Sequence, residues 1–155
     1  MRYHGFDSIA RNVDIYRDDL VLKDIRLDFP ELSLAIENRI KGHAVPPSGP
    51  SRVMVLEISF LDADGAQVHT ATETFAKKFE LMPVIGLMPH KMTENTQLQS
   101  GEVRALSFTL PSTLKNQVSE AVLTLRFYEV SDDHQGDISQ AHWISEPILE
   151  KKVSF

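Results

Sequence analysis

The residues best suited to metal chemistry lie close together in one part of the chain. Three methionines and a histidine fall within residues 80–101, at Met82, Met88, His90 and Met92. Thioether sulfur and imidazole nitrogen together suit Cu(I). Methionine also fills uneven gaps beneath long loops, and a histidine there can face solvent. The stretch therefore yields one metal hypothesis, a copper site on these residues, with simple gap filling as its alternative.

A second group of oxygen ligands has a simpler explanation. Asp62-Ala63-Asp64-Gly65 resembles the start of an EF-hand loop, and Glu73 falls at its twelfth position. The glycine stands at the fourth place rather than the sixth, and Ala66 and Val68 supply no side-chain oxygen. Asp-Gly between two apolar runs is a strong hairpin signal. We therefore expect a tight turn without a metal.

Catalytic motifs are missing from the sequence. No serine sits in Gly-x-Ser-x-Gly, no glycine-rich phosphate loop occurs, and the six histidines form no His-x₃-His pair. Neighbouring carboxylates such as Asp18-Asp19 and Asp132-Asp133 lie on polar segments, which favours solvated faces over an acid–base couple. The sequence predicts a protein that is not an enzyme.

Composition narrows the cofactors and partners further. The chain has no cysteine, so it cannot form disulfides or attach haem covalently. Its net charge is −6 with lysine and arginine scattered, which gives no footprint for nucleic acid or an anionic membrane. No apolar run is long enough to insert into a membrane, and the N-terminus has no signal-peptide pattern. A sequence without a signal-peptide pattern is compatible with a cytoplasmic location.

The elements that must position these residues follow from length and periodicity. At 155 residues the chain suits one core, preceded by an N-terminal segment over 1–20 with a short helix at Val13–Leu20. From residue 21 to 155 the apolar period becomes two, and turn signals separate the runs. Residues 43–51, with three prolines, are expected to be loop, and residues 80–101 and 131–146 are read as long irregular loops.

These runs predict an all-β fold, an immunoglobulin-like antiparallel β-sandwich of seven or eight strands. Alternation within the best-patterned strands also predicts which side chains are buried. The predicted core consists of Leu34, Ile36, Val55, Leu56, Ile58, Phe60, Leu106, Phe108, Leu123, Leu125 and Phe127.

One stretch carries a resemblance to a known family. Asn38, Gly42, His43, Pro46, Gly49 and Arg52, followed by the Asp62–Gly65 turn, match in order the pattern of a β-sandwich domain found beside the haem-bearing part of bacterial multihaem cytochromes c. His4-Gly5-Phe6 resembles the segment that links the last haem motif to that domain. The run Leu98…Gly101-Glu102…Phe108…Pro111 resembles its later strand. The chain departs from the pattern at Pro47-Ser48, where the family has threonine, and it lacks Cys-x-x-Cys-His.

The resemblance implies an accessory, non-catalytic module that docks onto or caps a haem-bearing cytochrome domain or subunit. It implies contact with the haem of that partner, with His4 and His43 as axial ligand or hydrogen-bond donor, and with Pro46 and Arg52 in the same contact region. It also implies a periplasmic or cell-surface location, and a homo-oligomer is compatible with it. From the residues alone, His43 could equally well fix its own loop.

Two other functions stay open at this point. The first is a periplasmic copper carrier that uses the methionine and histidine stretch described above. The second is a general interaction or carbohydrate-binding sandwich, which Trp143 and the two long loops would serve.

Overall fold

The strands follow the period-two runs of the sequence. A computed structural model describes residues 14–46, 52–81, 90–130, 141–144 and 146–155. Within these ranges the chain forms a one-turn helix, α1 (Asp14–Arg17), and a set of β-strands. The strands are β1 (Leu20–Asp28), β2 (Glu31–Asn38), β3 (Arg52–Leu61), β4 (Gln67–Phe75), β5 (Lys77–Leu81), β6 (His90–Asn95), β7 (Val103–Thr109), β8 (Glu120–Val130), β9 (Ala141–Ile144) and β10 (Leu149–Ser154).

Two larger sheets form the sandwich. One has the order β1-β2-β7, and the other has the order β10-β8-β3-β4 with β9 also paired to β8, which makes it five-stranded. A separate two-stranded sheet pairs β5 with β6. The strand pairs are antiparallel. The predicted all-β sandwich is confirmed, with seven strands along the main paths of the two larger sheets.

The core lies between the facing sides of these two sheets. Alternate residues of β2, β3 and β8 point into it, because successive side chains of a strand point to opposite faces. Leu34, Leu56 and Leu125 are typical members, each at most 3% exposed. Burying a side chain of this size contributes about 1.5–3 kcal/mol. The core prediction is confirmed for these positions, whereas Leu106 and Phe108 on edge strand β7 are half-buried and pack against the core.

β3 is also buried on its second face, as its apolar sequence on both sides predicts. Val53 and Val55 have no exposed surface and form a smaller cluster with Ala76 and Tyr128. We call the side of the five-stranded sheet that carries Val55 its outer face. Val55 therefore belongs to this smaller cluster rather than to the central core.

The turn between β3 and β4 is the predicted hairpin. The Asp62 carboxylate oxygen Oδ1 accepts from the main-chain N–H of Asp64 and of Ala66, both at 2.9 Å. The Asp62 N–H donates to the Ala66 carbonyl at 2.9 Å, and Gly65 adopts a φ of 83°. The Asp62 carboxylate thus orders its own turn, and the expectation that no metal binds there stays a prediction.

Three expected boundaries were wrong. The helix predicted over Val13–Leu20 ends at Arg17, and Leu20 begins β1 as a fully buried strand residue. Core burial of Leu20 favours the strand over the local helix propensity of the segment. The other two errors are loops that contain strands: β6 lies within residues 80–101 and pairs with β5, and β9 lies within 131–146 and pairs with β8. β6 is polar and β9 has only four residues, so neither shows a clear period-two pattern, and cross-strand pairing defines both strands.

Among the described residues, no helix is long and apolar enough to cross a membrane.

Candidate functional site

The loop that follows β2 begins with a buried polar residue. Asn38 has no exposed surface. Its side-chain Nδ2 donates to the carbonyls of His43 at 2.8 Å and Leu98 at 3.0 Å, and its Oδ1 accepts from the Ile40 N–H at 2.9 Å. Its main chain bonds Gly101 and Glu102. Since every polar group of Asn38 is used, this one residue fixes where the chain leaves β2.

Gly42 gives this loop its sharp bend. Its φ of 77° lies in the left-handed region, which favours glycine. Its N–H donates to Ser100 Oγ at 2.9 Å, and the Ser100 hydroxyl donates to the Ile40 carbonyl at 2.6 Å. Gly42 thus supplies a positive φ just after the end of β2, and Ser100 ties the bend to a distant segment.

The end of this loop also bonds the segment that contains Ser100. Val45 and Leu98 exchange two main-chain hydrogen bonds, at 2.9 and 2.8 Å. Gln97 is 4% exposed, and its side-chain Nε2 donates to the Pro46 carbonyl. We call residues 38–46 together with 95–104 the clasp. Within the clasp, residues 95–104 thus hold both the beginning and the end of the loop.

Arg104 holds that partner segment in place. Its Nη1 donates to the Thr96 carbonyl at 2.7 Å and its Nη2 to the Gln97 carbonyl at 2.8 Å. Its Nε donates to Glu102 Oε2 at 2.6 Å, and the guanidinium lies 5.5 Å from the centre of the Phe75 ring. The hydrogen bond from Arg104 lowers the pKa of the Glu102 carboxyl, opposed by partial burial. Glu102 therefore stays ionised and paired.

The exposed tip of the clasp is basic. Arg39, Lys41 and His43 are exposed in a protein whose net charge is −6. The nearby Glu37 accepts from Arg39 Nε at 3.1 Å and from Lys23 Nζ at 3.0 Å. The bond from Arg39, followed by the bond from Lys23, lowers the pKa of Glu37. With this carboxylate shared between two cations, the tip retains positive charge.

The structure places the predicted contact residues unevenly around the clasp. His43 is exposed, and its carbonyl oxygen accepts from Asn38. Pro46 is buried, so its described contacts are internal. Arg52 begins β3 and its backbone pairs with Glu129. His4 lies outside the described residues, and the contact role of all four residues stays a prediction.

Sequence reasoning missed the residues that support the loop from the other side. Gln97, Ser100 and Arg104 come about sixty residues later and were not singled out. Their types are common on polar surfaces, and no spacing rule links them to residues 38–46. The one available signal was asparagine at the end of an apolar strand, where a short amide can bond the turning backbone.

Two of the four residues of the copper hypothesis lie on a strand, although the sequence predicted an irregular loop there. His90 and Met92 lie on β6, in register with Leu81 and Phe79 of β5. Met82 and Met88 lie outside the described residues. Over the part of the chain that the structure describes, no group of three or more His, Cys, Asp or Glu side chains could hold a metal. The copper site stays a prediction, with His90 and Met92 on a strand.

Comparison with known proteins gives one structural likeness. No protein-family model matches the chain, and its sequence has no significant match among curated proteins. Its structure is similar to that of a penta-heme cytochrome c552 from Thermochromatium tepidum, with a TM-score of 0.66 and 18% sequence identity. The match covers 94% of this chain and 42% of that one. The chain thus spans less than half of the cytochrome and shares its fold over that part.

Proposed function

We propose that the protein is a non-catalytic β-sandwich module that docks onto, or caps, a haem-carrying electron-transfer partner. The observation that carries this proposal is the likeness of nearly the whole chain to 42% of a penta-heme cytochrome. The chain contains no cysteine, so thioether-linked haem would have to reside on the partner. A periplasmic or cell-surface location, where multihaem cytochromes c work, is part of the same proposal.

The clasp has the mechanical properties that docking favours. Its loop is held by Asn38, Ser100 and Gln97. A loop that is already ordered loses little conformational entropy when it is bound. A partner can therefore use its side chains without first fixing its backbone.

The clasp also has suitable chemistry for a haem edge. Haem propionates are carboxylates, and the exposed Lys41 and His43 offer positive charge and an imidazole. Imidazole can donate a hydrogen bond or ligate a metal, depending on its protonation. The proposal assigns His43 to direct contact with the partner and Lys41 to electrostatic steering toward it.

The test is a binding measurement with c-type cytochromes encoded beside this chain. The protein is immobilised, each haem-carrying chain is titrated over it, and size exclusion monitored at the Soret absorbance shows whether haem co-migrates. His43→Ala should weaken binding about tenfold, which corresponds to the loss of one charge-assisted hydrogen bond. His69→Ala, at the opposite end of the sandwich, is the matched control and should bind as the wild type does. If no haem-carrying chain binds, the docking proposal fails.

The same preparation separates the alternatives. Stoichiometric uptake of Cu(I) that Met92→Leu abolishes would support the copper carrier instead. Retention by immobilised polysaccharide, without binding to a cytochrome, would support the carbohydrate-binding sandwich.

A further inference from the structure

Within the described ranges, the main paths of the two larger sheets end in β1, β7, β4 and β10, and three of these edge strands are protected against pairing with another strand. β1 has a register shift, where Asp24 adopts a φ of 55°. β10 carries the exposed Lys151 and Lys152. β4 has a register shift near its start, and the Thr96 hydroxyl donates to the Thr74 carbonyl near its end at 3.3 Å. Irregular pairing, lysines and covering segments are common means of preventing strand addition at a sheet edge.

The fourth edge strand, β7, has none of these features. Its seven residues pair with β2 in one unbroken register, and their main chain pairs with no other strand that the structure describes. On the side of the sheet that faces away from the core, the strand presents exposed side chains without charge, namely those of Val103, Ala105, Ser107 and Thr109. β7 is therefore a regular edge that remains open to a further strand.

Apolar side chains on both sides of β7 are incompletely covered. Leu106 and Phe108 face the core but are only half-buried, whereas Leu34, paired in register with Leu106 on β2, is 3% exposed. On the other side, Val103 is 51% exposed, the highest value for a large hydrophobic residue among those the structure describes. A strand added beside β7 would cover part of this apolar surface in addition to forming main-chain hydrogen bonds.

We propose that a second copy of this chain adds its own β7 to this edge, in antiparallel pairing centred on Leu106. Leu106 is the midpoint of Val103–Thr109, so this register pairs all seven residues of both copies about a two-fold axis. Ala105 of each copy lies across from Ser107 of the other, and Val103 lies across from Thr109. The three-stranded sheets of two copies thereby become one six-stranded sheet. The inference goes beyond the proposed docking function and does not rest on it.

The distribution of charge supports a second copy as the occupant, although each chain carries a net charge of −6. Arg104 is the one charged residue of β7, and in this register it lies across from Phe108 of the other copy, where a guanidinium can contact an aromatic ring. On β2, Glu31 pairs with Thr109 and Glu37 pairs with Val103. Glu31 of one copy and Glu37 of the other are then three strand spacings apart, about 14 Å, which exceeds the screening length of about 8 Å at physiological salt. No like charges therefore oppose each other across the contact.

The short length of β7 limits the strength of this contact. Two strands of seven residues bury less surface than a standard interface, and interfaces below about 1,200 Å² in total are typically weak. We therefore expect a reversible dimer that is half formed at about 10–100 µM protein.

Sedimentation velocity of the full chain tests the dimer directly. Between about 1 and about 500 µM, the wild-type protein should change from monomer to dimer. Ser107→Lys should raise the dissociation constant about tenfold, because it places a lysine on the pairing edge, diagonally across from the same lysine of the second copy. Ser33→Lys is the matched control: Ser33 is exposed and pairs in register with Ser107, but it lies on the central strand β2. This variant should dimerise as the wild type does.

Cross-linking tests the register. The chain contains no cysteine, so an introduced thiol has no competitor. An equal mixture of Ala105→Cys and Ser107→Cys chains should form a disulfide-linked dimer with diamide, because directly opposite residues have Cα atoms about 4.5–5.5 Å apart. A mixture of Ala105→Cys and Ser33→Cys should not, since two strand spacings separate these positions. Non-reducing gel electrophoresis measures the yield.

The inference is overturned if the wild-type protein stays monomeric over the whole concentration range, or if Ser107→Lys dimerises as readily as the wild type. A dimer that Ser107→Lys disrupts but that gives no Ala105–Ser107 cross-link would overturn the register centred on Leu106. If a haem-carrying chain, rather than a second copy, protects the thiol of Ser107→Cys from alkylation, the edge belongs to that partner and the inference also fails. Failure of the dimer leaves the docking proposal standing, because that proposal is tested by cytochrome binding and by His43→Ala.

Discussion

Two short side chains, Asn38 and Asp62, order the loops at opposite ends of β3 in opposite ways. Asp62 follows the strand and bonds main-chain N–H groups two and four residues ahead of it. Asn38 stands before the loop that leads into the strand, is fully buried, and bonds a carbonyl sixty residues away. The first turn is a local structure, whereas the second exists only in the folded protein. Asp62 therefore orders a turn that its neighbours already favour, and Asn38 joins two distant segments.

This difference predicts that removing the Asn38 side chain lowers the free energy of unfolding more than removing the Asp62 side chain does. Removing Asp62 exposes two N–H groups to water, which can replace the lost acceptor. Removing Asn38 leaves the carbonyls of His43 and Leu98 without a donor inside the clasp, where water has less access. The following substitutions test this contrast.

Asn38→Ala should have the largest effect. The loss of two donors and one acceptor in a buried position should lower the free energy of unfolding by about 3 kcal/mol. Urea denaturation followed by circular dichroism measures this change. Asn38→Asp is the matched variant, because it preserves the shape and one acceptor but turns a carboxylate oxygen toward the two carbonyls, and it should be at least as destabilising. A loss below about 1 kcal/mol in both variants would show that the clasp does not depend on Asn38.

Asp62→Ala should cost about 1 kcal/mol in the same experiment, because it removes the acceptor for two N–H groups on an accessible turn. Asp62→Asn keeps an oxygen in the same place and should stay close to the wild type. Added calcium should not change the melting temperature of the wild-type protein, since the turn uses Asp62 as a hydrogen-bond acceptor. Calcium-dependent melting would restore the metal hypothesis for Asp62, Asp64 and Glu73.

The loops at the two ends of β3 also show which features the sequence could predict. The Asp62–Gly65 turn, the alternating core and the antiparallel sandwich were predictable, because their determinants lie within a few residues of each other. The clasp was not predictable in detail, since Gln97, Ser100 and Arg104 acquire their roles only when the fold brings them to residues 38–46. Strands β6 and β9 were missed for the same reason, because their pairing partners define them. A resemblance identified the loop as important, but the residues alone did not show what held it.

A smaller effect is expected from Glu102→Gln, and it depends on pH. The pKa of Glu102 is lowered by Arg104, so the ionised group stabilises the folded state above its unfolded pKa, and this contribution is lost as the pH falls through the folded pKa. The stability difference between wild type and variant should therefore be largest near neutral pH and should shrink below about pH 4.5. Because the pair is partly solvated, we expect a smaller effect than for Asp62→Ala.

Urea midpoints measured from about pH 6 to about pH 3 test the sign of this change. Glu31→Gln, an exposed glutamate of β2, is the control and should show no comparable convergence with the wild type. A difference between wild type and Glu102→Gln that grew on acidification would contradict the assignment of Arg104 as the stabilising partner.

The smallest effect on folding is expected at His43, which gives the sharpest test of the clasp. The His43 side chain is exposed, and alanine retains the main-chain carbonyl that accepts from Asn38. His43→Ala should therefore change the free energy of unfolding by less than about 0.5 kcal/mol. Its neighbour Gly42 is the matched contrast, because Gly42→Ala places a Cβ at a φ of 77° and should cost about 1 kcal/mol. This pair separates the contribution of the backbone conformation at Gly42 from that of the exposed His43 side chain. If His43→Ala destabilised the protein as much as Asn38→Ala, the imidazole would be a structural part of the clasp, and the contact role proposed for it would have to be abandoned.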